Sequence, residues 1–285
     1  VAQALAPALE QALDRPGQDR PGTAGHDHVL KTSRAHLSAD HLRLLAQGAV
    51  RIIQVGGFIG PQACGIISRG AVALGYEPYL NVSQVRRIGM AYYETGHEPA
   101  LVERYFATAR QCQERLRQAC DPVGSPVDTA RCLLDETWPA GAHLQTLAGR
   151  KMFVGLSRMV EPRTTFLAHH DVFADDAPGM PESESVLAQF AANVYVRMPE
   201  RGGELLMWHA TMSVAEFDAR RQGAYGIDPR ALPPPDVVLR PAAGDLLIFD
   251  ARRLHAVAPP EDQARLALSF FIAYRGDDEP LTCWS

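Results

Sequence analysis

The rhythm of hydrophobic and polar positions changes near Gly149. Before it, apolar residues recur at helical spacing. In Pro99–Ala119 the residues Leu101, Val102, Tyr105, Phe106 and Ala109 share one face with charges between them, which predicts a long amphipathic helix. Pro61–Leu74 opens on a proline, whose fixed φ suits a first helical turn, and predicts a second helix. Shorter helices are expected from Ser38-Ala39-Asp40-His41 onward and through residues 127–134. Residues 50–59 (VRIIQVGGFI) have strand character, and residues 86–93 fit neither period. Residues 36–149 are therefore expected to be mainly helical. The first 35 residues are poor in large apolar side chains, and Arg15-Pro16-Gly17 and Arg20-Pro21-Gly22 interrupt any helix begun at Ala2, so residues 1–35 are expected to form a mobile arm.

Beyond Gly149 the pattern becomes short apolar or alternating runs separated by Pro, Gly and Asp: residues 151–160, 164–169, 189–198, 203–209, 236–240, 245–249 and 265–274. Strands at this spacing predict a sandwich or barrel over residues 150–285. No internal repeat is present, Pro233-Pro234-Pro235 reads as a loop, and no linker separates the two halves. Residues 36–285 are thus expected to fold as one α+β domain.

Composition narrows the function. With 28 Lys+Arg against 33 Asp+Glu the net charge is −5, which lacks the concentrated positive field that nucleic acid requires. No apolar run approaches the roughly 18 residues of a membrane span, and the N-terminus shows no basic segment followed by an apolar one, so a cytoplasmic protein with no membrane partner is expected. Five cysteines (Cys64, Cys112, Cys120, Cys132, Cys283) at irregular spacings without a C-x-x-C pair suggest neither a disulfide framework nor a thiolate metal site. The ten histidines are the feature left to explain.

Two of them stand in a chelating pattern. The run Thr164–His169 continues into His170-Asp171, and strand alternation places His169 and Asp171 on one face and His170 on the other. A third ligand is found in His255, after the apolar segment that starts at Gly244-Asp245. Two histidines and one carboxylate form the facial set that holds non-haem Fe(II) with open positions. Downstream, if Ala258 faces Ala264 across a hairpin, then Val257 faces Arg265 and His255 faces Ala267, which puts all four on one face. An arginine turned inward on an apolar strand needs an anion, and its fork suits a carboxylate.

His169-x-Asp171, Asn193-Val194-Tyr195-Val196, Gly202-Gly203-Glu204-Leu205, Pro241-x-x-Gly244-Asp245, His255 and Arg265, in this order, resemble the Fe(II)/2-oxoglutarate-dependent oxygenases, in particular their prolyl-hydroxylase-like branch. The resemblance covers about residues 150–275. It implies a double-stranded β-helix, a jelly roll of cupin type, with supporting helices. It also implies iron ligation by His169, Asp171 and His255, and anchoring of the 2-oxoglutarate distal carboxylate by Arg265. Tyr195 stands where relatives often place a hydroxyl beside that arginine, Asn193 shares its strand face, and Ser269 follows Arg265 on the same parity. Fe(II), 2-oxoglutarate and O2 are the implied cofactors, with succinate and CO2 as co-products.

Less specifically, the helical half resembles members that act on free amino acids in natural-product pathways. Halogenating relatives replace the ligand carboxylate with a small residue, whereas Asp171 is present here, so hydroxylation of a small amino acid or amino-acid-like metabolite is the expected activity. Peptidyl hydroxylation, desaturation or cyclisation by the same chemistry, and a non-catalytic cupin-like binding protein, are the alternatives. Arg158 is a candidate for gripping a substrate or cosubstrate carboxylate, and Arg86 and Arg87 for a substrate subsite, against a surface ion-pair face. Trp284 is a candidate lid, against packing of a terminal strand. His170 is read as a neighbour of the metal, and His209 as a weaker substitute ligand. The oligomeric state is not encoded in any of these features.

Overall fold

A computed structural model describes residues 28–80, 85–209 and 212–285. Its strands are β1 (Val29–Thr32), β2 (Ile52–Val55), β3 (Glu77–Pro78), β4 (Val85–Ile88), β5 (Ala142–Leu144), β6 (Thr146–Leu147), β7 (Arg150–Lys151), β8 (Leu156–Val160), β9 (Ala188–Arg197), β10 (Leu205–Met207), β11 (Val237–Leu239), β12 (Leu246–Asp250), β13 (His255–Val257), β14 (Arg265–Tyr274) and β15 (Leu281–Trp284). The main sheet has the order β1-β2-β12-β9-β14-β8-β4-β3, with β15 added to β14 and β5 to β15. A second sheet, β11-β10-β13, is widened by single bridges from Ala168 to Ile227 and from His169 to His255. Two mainly antiparallel sheets facing each other form the expected jelly roll.

The central strands are buried on both faces, which explains why β9 and β14 read as continuous apolar runs. One face, with Phe190, Ala192 and Val194 of β9 and Leu266, Leu268, Phe270 and Ile272 of β14, packs under the helices. Leu42 and Leu45, Ile67, Leu116, Val127 and Leu134 bring the helices Ala39–Ala46, Pro61–Leu74, Pro99–Ala119 and Pro126–Thr137 onto it. The other face, with Ala191, Tyr195, Ala267, Phe271 and Phe249, turns toward the second sheet. Each large apolar side chain so buried contributes about 1.5–3 kcal/mol. Three of the four helices start on a proline, and the last is also capped by the Ser125 hydroxyl, which accepts from the Asp128 N–H. Gly70 lets Pro61–Leu74 press against the end of Pro99–Ala119, because a Cβ there would collide with the Ala119 carbonyl.

Several expectations change. Residues 1–27 of the expected arm lie outside the described residues, but Val29–Thr32 is an edge strand paired in parallel with β2. The run 151–160 is divided because Gly155, at φ +91°, turns the chain between β7 and β8. Residues 164–169 form no regular strand: only Ala168 and His169 bridge to neighbours. β13 and β14 do not form a hairpin, since β13 pairs with β10 and β14 with β8 and β9. They approach each other as members of facing sheets, and His255, Val257, Arg265 and Ala267 still line one recess. Among the described residues no helix is long and apolar enough to cross a membrane.

Candidate metal centre

His169 and His255 are locked opposite one another by two backbone hydrogen bonds, the N–H of each donating to the carbonyl of the other at 3.0 and 2.8 Å. The Asp171 N–H donates to the Ala251 carbonyl at 2.8 Å, which fixes the third residue of the set. The imidazoles lie with centroids 4.5 Å apart, the His255 Nε2 is 3.4 Å from the Asp171 Oδ2, and one ligand atom from each of the three residues falls within 4.8 Å of the others. Each imidazole Nδ1 lies 2.9 Å from a carbonyl two residues back, Leu167 for His169 and Arg253 for His255. A carbonyl only accepts, so Nδ1 carries the proton and Nε2 presents its lone pair to the centre.

Electrostatics favour the same state. Burial, followed by the neighbouring His255, lowers the His169 pKa to about 4. Burial pushes the Asp171 carboxyl upward, but the His255 imidazole 3.4 Å away, then His169 and Arg158, outweigh it and hold the pKa at about 2. A neutral imidazole and an ionised carboxylate are the ligand forms a divalent metal needs. The donor set fits Fe(II), and His169, Asp171 and His255 are the residues that could hold it.

This centre sits at the neck between two spaces. The inner one is a narrow recess between the sheets, into which Arg265, Asn193 and Ser269 project from β14 and β9, with Asn193 directly opposite Ser269. Arg265 is 4% exposed, its Nε has no hydrogen-bond partner, and its guanidinium lies 4.8 Å over the Tyr195 ring. The Tyr195 hydroxyl is itself buried without a partner, so Tyr195 meets Arg265 through its ring. A buried guanidinium Nε without an acceptor among the described residues is costly, and a carboxylate in the recess could satisfy it. The outer space is a cavity of about 850 Å³. Both spaces share Arg158, Phe166, His169 and Asp171.

The other predicted site residues divide. Arg158 reaches the cavity from β8, in register with Ala267. Arg86 points away and lies 3.9 Å from Glu161 in an exposed ion pair. Arg87 is buried, with its Nε donating to both Glu94 oxygens at 2.7 and 2.9 Å. Neither lines the cavity, so the expected subsite at Arg86 and Arg87 is corrected to one surface and one buried ion pair. Trp284 is not a lid: it is 1% exposed on β15, packed behind Phe173 and Phe271 at 4.5 and 5.5 Å between centroids. His170 packs on Phe217 at 4.3 Å and with it lines the outer cavity. His209 pairs with His28 at 3.2 Å and lines neither space. Asp245 serves the scaffold, accepting from Gln54, Gly57 and Ala242 and tying β12 to the end of β2. Of the segment around Arg86 and Arg87, Tyr93 does line the cavity, whereas sequence reasoning missed Tyr79, Phe217 and Tyr225 on the outer walls, because they come from separate segments with no common pattern.

A jelly roll with a two-histidine, one-carboxylate set at its neck and an unneutralised arginine behind it defines a non-haem iron oxygenase that uses a 2-oxoacid. Residues 154–273 match the 2OG-Fe(II) oxygenase superfamily. The chain is 30% identical over 278 residues to L-gamma-glutamyl-L-propargylglycine hydroxylase of Streptantibioticus cattleyicolor, covering 93% of this chain and 99% of that protein. It therefore belongs to the 2OG-Fe(II) oxygenase superfamily and is an Fe(II)/2-oxoglutarate-dependent dioxygenase. The solved structure of an N-substituted L-amino acid dioxygenase from Burkholderia ambifaria shares the fold, with a TM-score of 0.60, 15% identity, and 87% of this chain and 91% of that chain covered. The same enzyme in complex with alpha-ketoglutarate gives a TM-score of 0.59 at 14% identity, with the same coverage.

Proposed function

We propose that this enzyme hydroxylates an unactivated C–H bond of an amino acid or amino-acid derivative, with succinate and CO2 as co-products. The observation that carries the reading is the position of His169, Asp171 and His255 at the neck between the Arg265 recess and the outer cavity. The curated relative hydroxylates an amino-acid derivative and the structural neighbour is an N-substituted amino acid dioxygenase, which supports the substrate class. In this reading His169, Asp171 and His255 hold Fe(II). Fe(II) held there with 2-oxoglutarate would supply the O2 activation and the oxidising power that C–H cleavage needs. Arg265 pairs with the distal carboxylate of the cosubstrate, while Asn193 and Ser269 present polar groups to its stem and Tyr195 supports the guanidinium from below.

The chain's own work is positioning. The Nδ1–H bonds to Leu167 and Arg253 keep both imidazoles oriented without a metal-driven reorganisation. Phe166 and Phe249 beside the histidines make the neck apolar and keep water from it. The domain expected over residues 36–285 also takes in the strand Val29–Thr32, and its helical half braces the main sheet and supplies Tyr79 and Tyr93 to the substrate wall. A reducing, cytoplasmic setting suits the five unpaired cysteines and an Fe(II) centre. The test is anaerobic titration with Fe(II) and 2-oxoglutarate, followed by a panel of amino acids and dipeptides with succinate and product mass read together. Substrate-dependent succinate with a product heavier by one oxygen is expected; iron-independent succinate release would sink the reading.

A further inference from the structure

Two arginines stand side by side on adjacent strands at the edge of the outer cavity, and only one is neutralised. Arg158 of β8 is in register with Arg87 of β4. Arg87 is gripped by Glu94, approached by Glu77 at 3.7 Å, and lies over the Tyr79 ring. Arg158 lines the cavity, has no ion pair among the described residues, and its Nε is buried without a hydrogen-bond partner. The groups that act on it electrostatically are Tyr79, Tyr93, Asp171 and Glu94; of the two acids, Asp171 belongs to the metal set and Glu94 to Arg87. This is the condition that marks Arg265 in the recess: a guanidinium desolvated in advance of an anion.

The acidic residues of the cavity sort in the same way. Asp218 is paired with Arg221 at 2.7 Å. Asp175 and Asp176, on the short helix Phe173–Asp176, also line the cavity and have no ion pair among the described residues. Burial, with Asp171 and Asp175 nearby, raises the Asp176 carboxyl well above its usual range, so it waits for a cation before it ionises. After internal pairs and the metal set are removed, Arg158, the half-buried Asp176 and the exposed Asp175 remain without an ion pair among the described residues, beside the His170 imidazole, which packs on Phe217. A cavity of about 850 Å³ lies in the upper range for ligand pockets and has room for more than a small free amino acid.

We propose that the outer cavity selects a substrate bearing both a carboxylate and an ammonium group, Arg158 receiving the carboxylate and Asp176 the ammonium. This names the substrate class within the proposed function and rests on that reading. A ligand of this charge pattern neutralises the unpaired groups of the site, whereas an ester leaves the buried Nε of the half-buried Arg158 without a carboxylate.

The test uses the full chain loaded with Ni(II) and 2-oxoglutarate, which binds without turnover, and calorimetry with the free amino acids and with α- and γ-linked dipeptides. Each binder is repeated as its methyl ester and as its N-acetyl derivative. Either block should weaken binding by about 10- to 100-fold, the range for a charge-assisted hydrogen bond. In Arg158→Gln the free acid should lose that factor and the ester should lose nothing further; Asp176→Asn should behave likewise toward N-acetylation. Arg158→Lys should recover part of the loss, the loss in Arg158→Gln should fall on the substrate acid more than on 2-oxoglutarate, and Asp176→Asn, outside the recess, should leave 2-oxoglutarate affinity unchanged. Binders indifferent to both blocks, a preference for N-acyl compounds, or a loss that falls on 2-oxoglutarate would overturn the clamp. So would the absence of any binder from a panel that the wild type meets with normal uncoupled succinate release in Fe(II). Charge-dependent binding followed by a product without added oxygen would instead overturn the proposed reaction and support the clamp.

Discussion

The recess behind the metal centre and the cavity in front of it are built by different means. The recess is made of strand residues in fixed register: Asn193 of β9 stands opposite Ser269 of β14, and Arg265 begins the same strand. The cavity is assembled from Tyr79 and Tyr93, Arg158, the stretch 166–178, and residues 217–225 around the helix Val214–Arg221. Sheet register tolerates little change, because a one-residue slip turns every side chain to the opposite face. Loops and short helices tolerate much more. The recess is therefore the part of the site least free to change and the cavity walls the part most free to change.

The strongest way to break this comparison is at the shared neck. His255→Ala should abolish tight metal binding and lower turnover by at least about 100-fold, measured by calorimetry with Ni(II) and by succinate release; wild-type turnover would remove the centre from its assigned place. Next comes the outer wall. Glu94→Gln leaves Arg87 buried without its carboxylate and should cost about 3–5 kcal/mol in urea denaturation, with the metal-loaded recess keeping its 2-oxoglutarate affinity once folded. A smaller and more selective effect is expected at Arg265. Arg265→Gln should raise the KM for 2-oxoglutarate about 10- to 100-fold and spare that for substrate, and the reverse split would exchange the roles of the two spaces.

The smallest effect is on pH dependence after metal removal. The folded protein holds His169 at about 4, below its usual 6.5, so between these values the unfolded chain binds more protons than the folded one. Its contribution to the stability of chelator-treated protein should be complete above about pH 6.5 and lost as the pH falls toward 4. Comparing denaturation midpoints with those of His169→Gln at pH 7 and pH 5 isolates this contribution, and parallel curves would refute it.

The residues proposed as ligands are legible in the amino-acid order because chemistry, not packing, marks them. His-x-Asp carries its own parity, His255 follows a strand-like run, and Arg265 is polar where its neighbours are apolar. The route by which they meet is not legible there. A hairpin between β13 and β14 would account for the shared face of His255 and Arg265, yet the two strands lie in facing sheets and meet across the recess. Nor can residues 164–169 be distinguished from a regular strand by pattern, since extended chain and paired strand have the same alternation and differ only in the neighbour. Trp284 illustrates the reverse case: the identity of an aromatic residue says nothing about whether it faces a ligand or sits behind Phe271.

Local pattern alone determined the long helices, the change to strands after Gly149, the metal-ligating types and the inward arginine, because these follow from periodicities of 3.6 and 2 and from the cost of a buried charge. Only the tertiary structure decided which charges were left over. Arg87 and Arg158 are both arginines on adjacent strands, and nothing in their identity separates them. Glu94, seven residues from Arg87 along the chain, folds back to neutralise it, while the Arg158 Nε has no hydrogen-bond partner among the described residues. Pairing depends on distances between segments, and those exist only once the sheets have closed.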